Sequence, residues 1–264
     1  MRQAEETTQS ADSPARPPER GEVRYLIAQE LRRTWRSYAA TAVGNMLFGL
    51  LAASLFWTVV RFNAEGQRFG VPNFETDLVF LLLVSLLPLN WISRNYATVW
   101  EDPFSKWLGF LRSLPVPARY IVSARAGVMV GVTVVMVGVF FVPFYALNSL
   151  NDPIFNAEVS PLDYLWFIGI WFGYALLLGG AGLYLELGVK GKTVFLMQGA
   201  MLVVVFVILS VLTGLGVHLV WESFMLAQMY GPLPALAAIV IGLAGMTLGH
   251  QAAVRRLQTR SFSS

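Results

Sequence analysis

Between Asp77 and Arg94 the chain reads LVFLLLVSLLPLNWIS (residues 78–93), sixteen residues without a charge. Whether this stretch crosses a membrane sets the orientation of everything that follows it. It is short for a hydrocarbon core about 30 Å thick, and it carries Pro88 and Asn90. The other charge-free runs have the length of membrane spans. They extend from Arg36 to Arg61, with a core near Ala42–Val60, from Arg125 to about Leu147, from Asp163 to Glu186, onward from Lys192, and from near Pro232 to Arg255.

The basic residues decide the short stretch, because Lys and Arg accumulate on the cytoplasmic side of a membrane protein. With six spans and a cytoplasmic N-terminus, 17 of the 19 basic residues lie inside, and Arg61 and Arg68 alone lie outside. If residues 78–93 do not cross, 7 lie inside and 12 outside. The sequence therefore predicts an all-α integral membrane protein with six transmembrane helices and both termini in the cytoplasm.

Composition agrees. The 264 residues are 56% hydrophobic and 13% charged, against about 45–50% and about 25% in soluble domains. There is no cysteine, which removes disulfides and cysteine metal sites. The net charge of +3 is dispersed among loops, so no nucleic-acid partner is expected. Residues 1–21 are polar and hold Pro14, Pro17 and Pro18. They are expected to be a disordered tail rather than a secretory leader. Residues 22–38 form an expected amphipathic interfacial helix, residues 39–254 the six-helix domain, and residues 255–264 a cytoplasmic tail.

In the interfacial segment Val23, Leu26, Ile27, Leu31 and Trp35 recur at helical spacing, with Arg24, Glu30, Arg32, Arg33 and Arg36 among them. Leu26, Leu31 and Trp35 would enter the membrane interface, and Arg32, Arg33 and Arg36 would meet lipid phosphates. A solvated helix on a partner, or a basic cluster that only sets topology, is the alternative.

A second non-spanning helix is expected after the second span. Asp102-Pro103 is a favourable helix start. Phe104, Trp107, Leu108 and Leu111 then form an apolar stripe, Ser105, Lys106 and Arg112 lie off it, and Pro115 and Pro117 end it. In the fifth span, Thr213-Gly214-Leu215-Gly216 predicts a break, followed by a short outer or re-entrant helix over His218–Tyr230. One long tilted helix is the alternative.

No catalytic set emerges. His218 and His250 are far apart, no Gly-x-Ser-x-Gly motif occurs, and no pairing with metal-ligand spacing is present. Gly191-Lys192-Thr193 resembles the end of a phosphate-binding loop, but Glu186 stands where that loop needs a glycine. Glu186 is expected to be an interfacial charge beside Lys190. Glu222, in an apolar outer segment, is a candidate outer gate, with a solvated loop carboxylate as the alternative. The pairs Gly127/Gly131, Gly169/Gly173 and Gly245/Gly249 suit close helix packing, within one chain by default and between subunits as the alternative.

The stretch Trp100-Glu101-Asp102, followed by Trp107-Leu108-Gly109-Phe110-Leu111-Arg112-Ser113-Leu114-Pro115-Val116-Pro117-Ala118-Arg119-Tyr120-Ile121-Val122, resembles the cytoplasmic loop of bacterial type 2 ABC exporter permeases. That loop commonly has a glutamate, a short helix, a Leu-x-Ser-Leu-Pro-Val segment and a basic residue before the third span. Pro117 departs from the pattern, where a small polar residue is frequent. The order of elements is similar over most of the chain. The resemblance implies a dimeric permease in the bacterial cell membrane that docks two separate ABC ATPase subunits, its second half being another copy or a related permease. ATP and Mg would be bound by those subunits and no cofactor by this chain. Residues 103–113 would be the coupling helix, with Glu101, Phe104, Lys106, Trp107, Leu108, Leu111 and Arg112 at the contact.

Two other classes compete. A secondary transporter or channel would need polar groups near the membrane midplane, for which Asn45, Ser85, Asn90, Gln198 and Ser210 are the neutral candidates. A non-transporting assembly or immunity protein is the third class.

Overall fold

The computed structural model describes residues 20–64, 71–89, 117–151, 160–189 and 191–259. All regular structure in them is helical. The helices are α1 (Arg20–Ala64), α2 (Val71–Leu86), α3 (Ala118–Asn151), α4 (Pro161–Gly188), α5 (Gly191–Gly214), α6 (Leu219–Tyr230) and α7 (Pro232–Thr259). Their starts and stops follow local chemistry. Ser160 caps α4, its Oγ accepting the Asp163 amide at 3.1 Å and donating to the Asp163 carboxylate at 2.7 Å, and Pro161 takes the first helical position.

Four helices are long and apolar enough to cross a membrane: α1, α3, α4 and α7. The α5–α6 pair is a fifth candidate, bent by 69°. With 16 residues, α2 is shorter than a usual span. Contacts give its direction. Ile27 and Gly49 of α1 meet Gly127 and the Phe140–Pro143 turn of α3, so α1 and α3 run parallel. Phe80 of α2 packs on Trp171 of α4, Ser85 bonds Tyr174, and Leu89 lies against Gly182. Thus α2 runs parallel to α4. Since Phe141 of α3 meets Tyr164 while Met129 lies against Gly179, α4 is antiparallel to α3. By this packing α2 runs opposite to α1 and α3.

The expected division of the N-terminal region is not seen as a break. Arg20 to Ala64 is one helix of 45 residues, about 68 Å long at 1.5 Å per residue. The expected interfacial segment over residues 22–38 and the expected first span lie within this one helix. Residues 1–19 of the expected 1–21 tail and the expected helix over residues 103–113 lie outside the described residues, while Arg20 and Gly21 already belong to α1.

The core is aromatic. Phe56, Phe80, Phe140, Phe141, Phe144, Phe167, Trp171 and Phe224 bring α1, α2, α3, α4 and α6 together, and Phe80 and Trp171 meet edge-on with centroids 4.6 Å apart. Within lipid, where apolar burial itself drives little, such packing and close backbone approach hold helices together. Between α4 and α7 the approach is by glycine. A Cβ at Gly173 would meet the Ala238 carbonyl, one at Gly242 the Gly173 carbonyl, and one at Gly249 the Gly180 carbonyl. The Gly169/Gly173 and Gly245/Gly249 pairs therefore serve packing within the chain. Gly131 has open space around it, and Gly127 touches only Ile27.

Candidate functional site

Two charged clusters sit at opposite ends of this bundle, and each joins elements distant in sequence. The first centres on Arg125, two turns into α3. Its Nε and Nη2 donate to Oε2 of Glu186 on α4, at 2.9 and 2.7 Å, and its Nη1 bonds Glu30 on α1. Nη1 also lies 3.5 Å from the Tyr38 hydroxyl. The side chains are 13% (Arg125), 16% (Glu30) and 1% (Glu186) exposed. A guanidinium is suited to this place because its fixed fork of donors satisfies two carboxylates at once.

Glu186 is thus a buried carboxylate bound to Arg125. The expected neighbour Lys190 lies outside the described residues. Arg125 is 61 residues away from Glu186 and invisible to local spacing. Nearby, Ser123 on α3 and His250 on α7 are hydrogen-bonded at 3.0 Å.

The second cluster joins α2 to the α5–α6 turn. Gly216, at φ 77°, closes α5 with the Val217 amide on the Leu212 carbonyl and the Gly216 amide on that of Thr213, both at 2.9 Å. This is a paired helix-end motif that needs a residue tolerant of positive φ. The break expected at Thr213–Gly216 lies there. His218 precedes α6 but makes no side-chain cap. Asp77 of α2 supplies it instead, accepting the Leu219 and Val220 amides at 2.9 and 2.7 Å. These are unpaired donors of a helix start, where a carboxylate is also favoured by the helix dipole. One turn on, Trp171 Nε1 donates to Ser223 at 3.1 Å, and Ser223 in turn donates to the Val220 carbonyl.

The remaining site residues fall as follows. Leu31, Arg32, Arg33, Trp35 and Arg36 are exposed, and Leu26 is half-buried. Ile27 and Glu30 face α3 from the same turns. Glu222 is exposed, its amide bonded to the His218 carbonyl within α6. The residues from Glu101 to Arg112 lie outside the described residues, and so do Asn90 and the Gln198 side chain. Asn45 is buried in α1, Ser85 is bound to Tyr174 and to the Leu81 carbonyl, and Ser210 is exposed and bonded to the Phe206 carbonyl. No cluster of three metal-binding side chains occurs among the described residues.

Residues 43–255 match the family described as ABC-2 family transporter protein. The chain belongs to the ABC-2 transporter family. The match takes in five of the seven helices whole, about half of α1, most of α7, and the 100–122 segment that carries the resemblance. Neither a characterised protein nor a solved structure gives a match to the chain. With its apolar helices, the family membership makes this a multi-pass membrane protein of transporter type. Both Arg125 and Asp77 had served in the sequence only as span boundaries. Their signal was an ionisable residue at the edge of an apolar run, which in a membrane is costly unless paired.

Proposed function

We propose that this chain is the permease half of an ATP-driven exporter of the bacterial cell membrane, with six spans and both termini in the cytoplasm. Two permease halves form the translocation path, and each docks a separate ABC ATPase subunit through residues 103–113. Hydrolysis of ATP takes place on those subunits and not on this chain. The observation that carries the reading is the family match over residues 43–255.

Several features of the described residues fit this reading. Opposed directions of α2 and its neighbours fit a second crossing by residues 78–93. The 69° bend between α5 and α6 fits a fifth crossing followed by an outer segment that does not span. The Arg125 cluster then lies at the cytoplasmic end and the Asp77 cluster at the outer end. Ala118 starts α3 directly after the proposed coupling segment, so a push there enters the helix that Arg125 ties to α1 and α4. Outward-facing apolar side chains on α1 (Val43, Met46, Leu47) and on α5 (Val204, Phe206, Val207) offer a face to lipid or to the second half. Arg32, Arg33, Trp35 and Arg36, exposed on the first turns of α1, suit a lipid surface.

The test is purification of the full chain from its native membrane in mild detergent. An ABC ATPase subunit should co-purify, and ATP turnover should follow the complex. Recovery without any ATPase, together with vesicle transport driven by an ion gradient alone, would replace this reading with a secondary transporter.

A further inference from the structure

His218 is 6% exposed, and neither ring nitrogen has a hydrogen-bond partner. It stands at the start of α6, next in sequence to the amides that Asp77 holds, where a positive charge on the ring favours the ionised Asp77 carboxylate. When neutral, such an imidazole forfeits both a donor and an acceptor bond in the interior. Asp77 is itself only partly compensated, since a helix N-terminus contributes roughly half a positive charge. A proton on the ring fills the vacant acceptor nitrogen and adds a full positive charge at the helix start that Asp77 caps. Imidazole is the side chain whose ordinary titration lies in the mildly acidic to neutral range.

Among the described residues the surroundings hold few competing charges. Glu75 of α2 and Glu222 of α6 are exposed, as is Tyr230. On α4, Asp163 is bonded to Ser160, Tyr164 to the Phe141 carbonyl and Tyr174 to Ser85. Arg61 occupies the last turn of α1. Lys192 of α5 and His250, Arg255 and Arg256 of α7 belong to the opposite end of the bundle.

We infer that His218 and Asp77 form a proton-binding latch, in which protonation of the imidazole beside the Asp77 carboxylate tightens the hold of α2 on the start of α6. The hinge it acts on is the Gly216 turn, where the 69° bend is made. In acid the broken segment is held against α2. At alkaline pH the hold rests on the two amide bonds alone, and the turn opens more often. This goes beyond the exporter reading and does not depend on it.

The experiment is amide hydrogen exchange on the full chain in lipid nanodiscs, following the peptide that contains Leu219 and Val220, with intrinsic exchange corrected for pH. Between pH 8 and pH 5.5, protection of these amides should rise about tenfold, the change equivalent to one pKa unit of proton linkage. In His218→Gln and His218→Phe the rise should vanish while α4 and α7 keep their protection. In Asp77→Asn protection should be low at both pH values. A pH-independent wild type, or the same rise in both His218 variants, would overturn the latch.

Discussion

Arg125 places two N–H groups on one carboxylate oxygen of Glu186, joining α3 to α4 from within the bundle. The same guanidinium holds Glu30 of α1. Removing one partner of a buried ion pair leaves the other charge desolvated, at about 3–5 kcal/mol. Arg125→Gln should therefore cost about 3 kcal/mol, read as a lower midpoint of thermal unfolding in detergent. Glu30→Gln, at the more exposed arm, should cost less. Combining Arg125→Gln with Glu186→Gln should recover part of the loss. Strict additivity of the two losses would mean that the pair is not energetically coupled.

The glycines offer a contrast within one residue type. Gly173→Ala and Gly249→Ala push a methyl against backbone carbonyls of the facing helix, which cannot move aside as a side chain would. Each should destabilise by about 1–3 kcal/mol. Gly131→Ala meets nothing and should be neutral or stabilising by up to about 1 kcal/mol, because alanine is the better helix former. Thermal unfolding of the three variants side by side decides it. Equal losses at all three would mean that the α4–α7 contact is not as close as described.

How much of this was legible beforehand depends on the range of the interaction. The apolar runs, the break near Gly214–Gly216 and the small-residue pairs are local signals, written in consecutive residues or in i, i+4 spacing. The partners of Glu186 and Asp77 are not. Glu186 meets Arg125 across 61 residues, and Asp77 meets Leu219 across 142. No periodicity within one helix encodes either. Tail, interfacial helix and first span were separated by composition, yet helix formation from Arg20 onward does not stop where the polarity changes. Nothing in Ser37-Tyr38-Ala39 breaks a helix, so the polarity change near Tyr38 leaves no mark on the secondary structure.

Topology can be read directly, because the chain has no cysteine to remove. Single cysteines at Glu75 and Leu162, both exposed, should react with a membrane-impermeant maleimide added outside intact cells. Cysteines at Arg119 and Thr259, also exposed, should react only after permeabilisation. The Glu75 and Arg119 positions bracket residues 78–93. Labelling of both from the same side would remove the second crossing and with it the six-span arrangement.

Coupling is the last prediction, and it tests the part of the chain on which the exporter reading turns. Phe104, Trp107, Leu108 and Leu111 share one helical face by spacing. Trimming large apolar anchors from such a face removes the contact without touching membrane insertion, which the spans determine. The double variant Trp107→Ala/Leu111→Ala should insert normally and retain the stability of the Arg125 cluster. It should lose co-purification of the ATPase by at least about tenfold, since two anchors of about 1–2 kcal/mol each are removed. Arg125→Lys gives the complementary arm. It keeps the charge but loses the fork, so ATPase docking should persist while the transport-linked rise in ATP turnover falls. If the double variant still binds ATPase at the wild-type level, residues 103–113 are not the docking helix. If Arg125→Lys loses docking as well, the cluster holds the docking segment itself in shape and does not merely pass on its motion.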